Sequence, residues 1–176
     1  MKKAITILAT LLLSACTGTL DGSKYEKIEP KFNLEAFFDG KVKAWGIVQN
    51  RSQEMVQRFE VDIIGARSGE ALVLDETFTY GVGDGVEKRI WTINKNADNR
   101  YSGRAGDILG KATGNVFGNA MQWTYEMDLP VDDTTYRVTF DDWMWAFDEN
   151  TLINRSYIKK FGFVVAEVTI FMQKQG

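Results

Sequence analysis

The chain has 176 residues, a net charge of −3 with both signs interspersed, 12% aromatic residues, a single cysteine and no histidine. The missing histidine excludes Ser-His-Asp and Cys-His nucleophiles and any histidine-ligated zinc, and one cysteine excludes an internal disulfide or a thiolate cluster. No basic stripe is present, which argues against nucleic acid as a partner.

A short basic start, Met1-Lys2-Lys3, leads into an apolar run over residues 4–13 and then Leu13-Ser14-Ala15-Cys16. A basic n-region, a short h-region and small residues at the cut form a secretory signal. About ten apolar residues are too few to span a bilayer, which needs about 20. The Leu-Ser-Ala-Cys pattern resembles the lipobox of bacterial lipoproteins. It implies a cut before Cys16 and acylation of its thiol, with two or more chains giving stable anchoring. Thr17, rather than an aspartate, follows the cysteine. The expected address is therefore the bacterial outer membrane, lipid-anchored on the periplasmic side. The expected division is a signal peptide at 1–15, the lipidated cysteine and a tether at 16–30, and one β-barrel domain at 31–176.

About 160 residues remain after the cut, enough for one full core. Asn33 is a candidate N-cap for one helical turn carrying Leu34, Phe37 and Phe38 on one face. Asp39-Gly40 is a turn. Strand-like alternation follows at a pitch of about ten residues. The first strand covers 41–48. In the next, Met55, Gln57, Phe59, Val61 and Ile63 share a face. Leu72, Leu74, Glu76, Phe78 and Tyr80 mark a third, and Arg89, Trp91 and Ile93 a fourth. Trp123, Tyr125, Met127 and Leu129 mark another, then Tyr136, Val138 and Phe140; residues 152–160 and 163–172 close the chain. No long amphipathic helix intervenes, so parallel βαβ units are not expected. The pattern predicts an all-β, antiparallel, up-and-down barrel of the lipocalin or calycin kind with about 8–10 strands. Such a barrel can enclose one small ligand.

Four constellations bear on function. Gly106, Gly110, Gly114 and Gly118 recur every fourth residue. In a strand they would leave room for a ligand on one face; the other reading is a flexible Gly-rich hairpin or bulge. Asp141 and Asp142 are adjacent and so point to opposite faces, which rules out a paired-carboxylate glycosidase site. Parity with Tyr136, Val138 and Phe140 turns Asp142 inward, where a carboxylate needs a partner. Arg155 is the expected one, either as a structural pair or as a headgroup site. The five tryptophans are mostly assigned to the core, but Trp143 and Trp145 fall on the outer face and would form an exposed aromatic patch. The candidate ligand-binding set is Asp142, Arg155, Trp123, Tyr125, Tyr136 and Trp91. No catalytic residue, metal or cofactor is expected.

Several stretches carry a family resemblance: Phe37-Phe38-Asp39-Gly40-Lys41-Val42-Lys43-Ala44-Trp45-Gly46, Phe140-Asp141-Asp142-Trp143-Met144, Thr151-Leu152-Ile153-Asn154-Arg155, and the end from Lys160-Phe161-Gly162 through Glu167-Val168-Thr169-Ile170-Phe171. Together they resemble the bacterial family called domain of unknown function 3833, over nearly the whole mature chain. The resemblance implies an envelope-lipid setting and no particular catalytic residue. Ala44-Trp45-Gly46 at the start of a β-meander is also similar to lipocalins. Three functions stay open: a binder of an apolar or acyl-chain-like molecule, an adaptor lipoprotein that recruits an envelope enzyme, and an enzyme acting on modified lipids without histidine.

Overall fold

The structure, a computed structural model, describes residues 20–82, 85–96, 99–131 and 133–176. The proposed signal peptide and Cys16 lie outside the described residues. Ten antiparallel strands follow one another around a closed barrel: β1 (Gly40–Asn50), β2 (Met55–Ser68), β3 (Ala71–Tyr80), β4 (Val86–Lys95), β5 (Arg100–Arg104), β6 (Ile108–Phe117), β7 (Ala120–Val131), β8 (Thr134–Ala146), β9 (Thr151–Lys160) and β10 (Phe163–Lys174). Each strand pairs with its sequence neighbours, and β1 pairs with β10 to close the ring. Closure leaves no unpaired edge. The expected up-and-down barrel is the fold observed.

Alternation explains the wall. Phe59, Val61 and Ile63 of β2 are buried while Glu60, Asp62 and Ile64 are exposed. Inward side chains from every strand meet in one apolar cluster. Pro130, which cannot donate to a ladder, sits near the end of β7. In β6 the register shifts between Leu109 and Thr113 around Gly110, whose φ of 70° marks a bulge.

One end of the barrel is plugged by helix α1 (Leu34–Phe38). Asn33 caps it, its Oδ1 accepting from the Ala36 amide at 3.1 Å, a contact worth about 1 kcal/mol. Leu34, Phe37 and Phe38 are buried. Gly65 of β2 lets the helix sit this close, because a Cβ there would overlap the Phe38 carbonyl. Lys174 Nζ donates to the Ala36 and Asp39 carbonyls at 2.5 and 2.6 Å, tying the last strand to the plug.

Residues 20–30, expected as a tether, include a segment packed on the barrel. Asp21 caps a 3-10 turn, Gly22–Tyr25, that packs on the outer wall at β6 and β7. The Phe32 amide donates to the Gly118 carbonyl at 2.7 Å. Gly118, at φ 54°, supplies both the tight turn between β6 and β7 and the space filled by the Tyr25 carbonyl. The segment 20–32 is thus a strap against the barrel near its plugged end. The opposite end is open, and its turns and adjoining strand ends expose Met55, Val82, Val86, Val131, Phe161 and Phe163.

Candidate functional site

The plugged barrel encloses a cavity of about 590 Å³. This falls within the roughly 300–1,000 Å³ of small-molecule sites. Leu34, Phe38, Ile63, Leu74, Met144 and Met172 line its closed end. Towards the mouth stand Phe59, Phe78, Tyr80, Leu129 and Pro130. The aromatic groups there touch: Phe59 lies 5.9 Å from Phe78 and 6.0 Å from Tyr80, ring to ring, and Phe78 stacks on Tyr80. Such contacts add about 0.5–1.5 kcal/mol each beyond their burial and stiffen the wall.

At mid-depth the lining turns polar. Arg89 of β4 donates to Asp107 Oδ2 from Nε at 2.8 Å and from NH2 at 2.6 Å. Its guanidinium also lies over Phe78 and Trp91, at 5.5 and 6.0 Å. Glu76 stands opposite Arg89 on β3, and burial pushes its carboxyl up to about 7, with Arg89 acting against the rise. What remains accessible of Glu76 lies on the cavity lining. Nearer the mouth, Tyr80 donates its hydroxyl to Glu87 Oε2 at 3.2 Å, and burial together with Glu87 pushes it up to about 12. Burial raises Tyr125 as well, so both phenols stay neutral.

Asp142 completes this layer. It is 8% exposed and lines the cavity, and its Oδ1 has no hydrogen-bond partner. Burial pushes its carboxyl up to about 7, opposed by the Ser156 hydroxyl and by Arg89. In the structure the single proton of that hydroxyl goes to Asn154 Oδ1, at 3.3 Å.

The structure corrects the expected partner. Asp142 is in register with Ser156, and Arg155 with Trp143, so Arg155 points outward. There it meets Thr169 Oγ1 at 3.3 Å and Glu167 at 3.6 Å. The interior of β9 is instead lined by Asn154, Ser156 and Ile158. Trp91, Trp123 and Tyr125 do line the cavity and form a chain of edge contacts, 5.6 Å between the tryptophans and 5.4 Å from Trp91 to Tyr125. Tyr125 stacks on Phe140 at 4.9 Å. Tyr136 lies beyond the lining, with Lys160 Nζ 3.6 Å above its ring.

Of the two readings of the four glycines, the hairpin-and-bulge one holds: Gly106 and Gly118 are in turns and Gly110 is in the bulge, so they do not share one strand face. Gly114 and Gly103 do leave space, but the indole of Trp123 fills it. Trp143 and Trp145 face outward as parity requires, yet they form no open patch. Tyr25 covers them at 5.9 and 6.1 Å, Phe117 stacks on Trp143 at 6.2 Å, and Trp143 is 1% exposed. The more exposed indole is Trp45, assigned to the core by its type but stacked on Phe171 on the outer wall.

Arg89, Asp107, Glu76, Tyr80 and Glu87 are the residues that sequence reasoning missed. The signal was present for three of them: Glu76, Tyr80 and Arg89 each occupy a place on the apolar face of an alternating strand.

Comparison with known proteins locates the chain. The family described as "Protein of unknown function (DUF3833)" matches residues 10–174. No curated protein matches the sequence. Among solved structures, an S-type phycobiliprotein lyase from Guillardia theta is similar in fold. Its TM-score is 0.56 at 11% identity, covering 86% of this chain and 98% of that one.

Proposed function

The chain belongs to the DUF3833 family, and from that premise we propose that it is an envelope lipoprotein whose barrel holds one small, apolar, acyl-chain-like molecule. The observation that carries the reading is the cavity of about 590 Å³, plugged at one end and lined mostly by aliphatic and aromatic side chains. Burying apolar surface there is favourable by about 25 cal/mol per Å². The lipocalin-like barrel shared with a phycobiliprotein lyase is compatible with such a use. The lipobox-like Leu13-Ser14-Ala15-Cys16 supports the anchor on the periplasmic side of the outer membrane.

Native mass spectrometry of the mildly purified protein tests the cargo. One apolar molecule per chain is expected, and Ala44→Phe, at a fully buried lining position, should lower its occupancy. An empty wild-type barrel that also takes up no fluorescent alkyl probe would overturn the reading. The anchor is tested separately: Cys16→Ser should abolish incorporation of labelled palmitate.

A further inference from the structure

We propose that the barrel is selective for an apolar molecule carrying a protonated nitrogen, which Asp142 receives at mid-depth, and that it discriminates against the matching carboxylate. The inference rests on the reading of the cavity as an apolar binding site and names the head of the molecule that fills it.

The argument is one of unmatched charge. Among the described residues the carboxylates on the lining are Glu76, Glu87, Asp107, Asp128 and Asp142, and Arg89 is the single cation beside them. Asp128 is answered from outside by Arg137, at 2.9 and 3.1 Å. Glu87 accepts the Tyr80 hydroxyl. Arg89 spends two donors on Asp107 and faces Glu76 across the ladder. Around Asp142, Arg89 on β4 is already committed, Tyr125 on β7 and Asn154 and Ser156 on β9 are uncharged, and Glu76 on β3 is a second carboxylate. One acceptor oxygen of Asp142 is left without a donor in a site nine-tenths removed from solvent.

A buried carboxylate without a donor is costly, and a charge-assisted hydrogen bond from N⁺–H is about twice as strong as a neutral one. A ligand ammonium at the cavity face of Asp142 supplies the missing charge. An incoming carboxylate finds Asp142 and Glu76 and no uncommitted cation. The apolar floor beneath, from Met144 to Phe38, accepts the rest of the molecule.

The test uses the purified full chain with dodecylamine, dodecanol and lauric acid, below their micellar concentrations, as competitors of a neutral fluorescent probe. Dodecylamine is expected to bind at least ten-fold more tightly than either of the others. Asp142→Asn should remove that preference, bringing dodecylamine to within a few-fold of dodecanol, with the near-ultraviolet dichroism of the neighbouring aromatics intact. Equal affinities, tighter binding of lauric acid or of the alcohol, or an amine preference that survives Asp142→Asn would each overturn the proposal. Failure of the probe itself to bind removes the apolar site and overturns both readings. Binding without preference, or a bound probe that none of the three displaces, overturns only the one made here.

Discussion

Asp141 and Asp142 are neighbours in β8 and both are buried, yet they sit in opposite electrostatic surroundings. Asp141 faces the outer wall, where Gln122 donates to it at 2.7 Å and Lys159 at 2.5 Å. Asp142 faces the lumen with one oxygen unpartnered. Burial is nearly equal, at 7% and 8% exposed, so burial does not distinguish them; the supply of donors does. On the outer surface of β7, β8 and β9 the carboxylate is satisfied by its neighbours and the strap covers the tryptophans, while the Trp143 Nε1 donor is buried there without an acceptor. The inner surface carries an unmet buried acceptor, at a cost of about 1–3 kcal/mol.

The contrast can be tested by substitution, starting with the outer wall. Trp143→Ala should have the largest effect. Its indole lies among Tyr25, Phe117 and Trp145, and removing a buried tryptophan costs about 3–5 kcal/mol. Thermal melting should fall accordingly, and trypsin should cut faster at the exposed Lys24 and Lys27 of the strap. A loss under about 1 kcal/mol would break the picture of a packed outer wall.

The two aspartates should then respond with opposite sign. At pH 8, Asp141→Asn removes the ionic partner of Lys159 and should destabilise by about 1–3 kcal/mol. Asp142→Asn removes an unmet charge and should stabilise. The pH dependence follows from the same asymmetry. Asp142 and Glu76 have folded values of about 7, above their ordinary 3.8 and 4.5. Between those limits the folded chain holds more protons than the unfolded one. These groups therefore make stability greatest below the ordinary values and lower it as pH rises towards 7, with a level stretch above. Melting temperature should drop between pH 5 and pH 8, and Asp142→Asn should shrink the drop. A melting temperature that rises over that interval would contradict the lumenal assignment.

The smallest change belongs to Arg155. Its ion pair with Glu167 is half exposed and 3.6 Å long, so Arg155→Ala should cost less than about 1 kcal/mol. A double-mutant cycle with Asp142→Ala should give a coupling near zero. Coupling above about 1 kcal/mol would return the two residues to one face and undo the register.

Much of this architecture is legible in the amino-acid order. Alternation in β2, β7 and β8 gives the barrel, and parity alone turns Asp142 inward. The placement of Arg155 is harder because β9 is apolar on both faces: Leu152 and Ile158 point in, while Ile153 lies outside opposite Trp145. That second apolar face exists because the outer wall carries packed tryptophans under a strap, a covering that local periodicity does not announce. The five-residue β5 is hard to bound for a different reason: Gly103 makes room for Trp123, a demand that originates two strands away in sequence. Arg89 and Asp107 meet across 18 residues through the turn after β5, and strand alternation does not encode such pairings.

The strap also fixes an orientation. Three residues, and so four peptide steps, separate Cys16 from Leu20, the first described residue of the segment leading into the strap. Fully extended, four steps reach about 14 Å, at about 3.5 Å each. On the proposed acyl anchor, so short a leash holds the plugged end of the barrel against the bilayer. The mouth then opens into the aqueous compartment. Whatever enters or leaves the lumen would do so from the side turned away from the protein's own membrane, which makes the barrel a receptacle with a defined polarity rather than a pore through which lipid drains back.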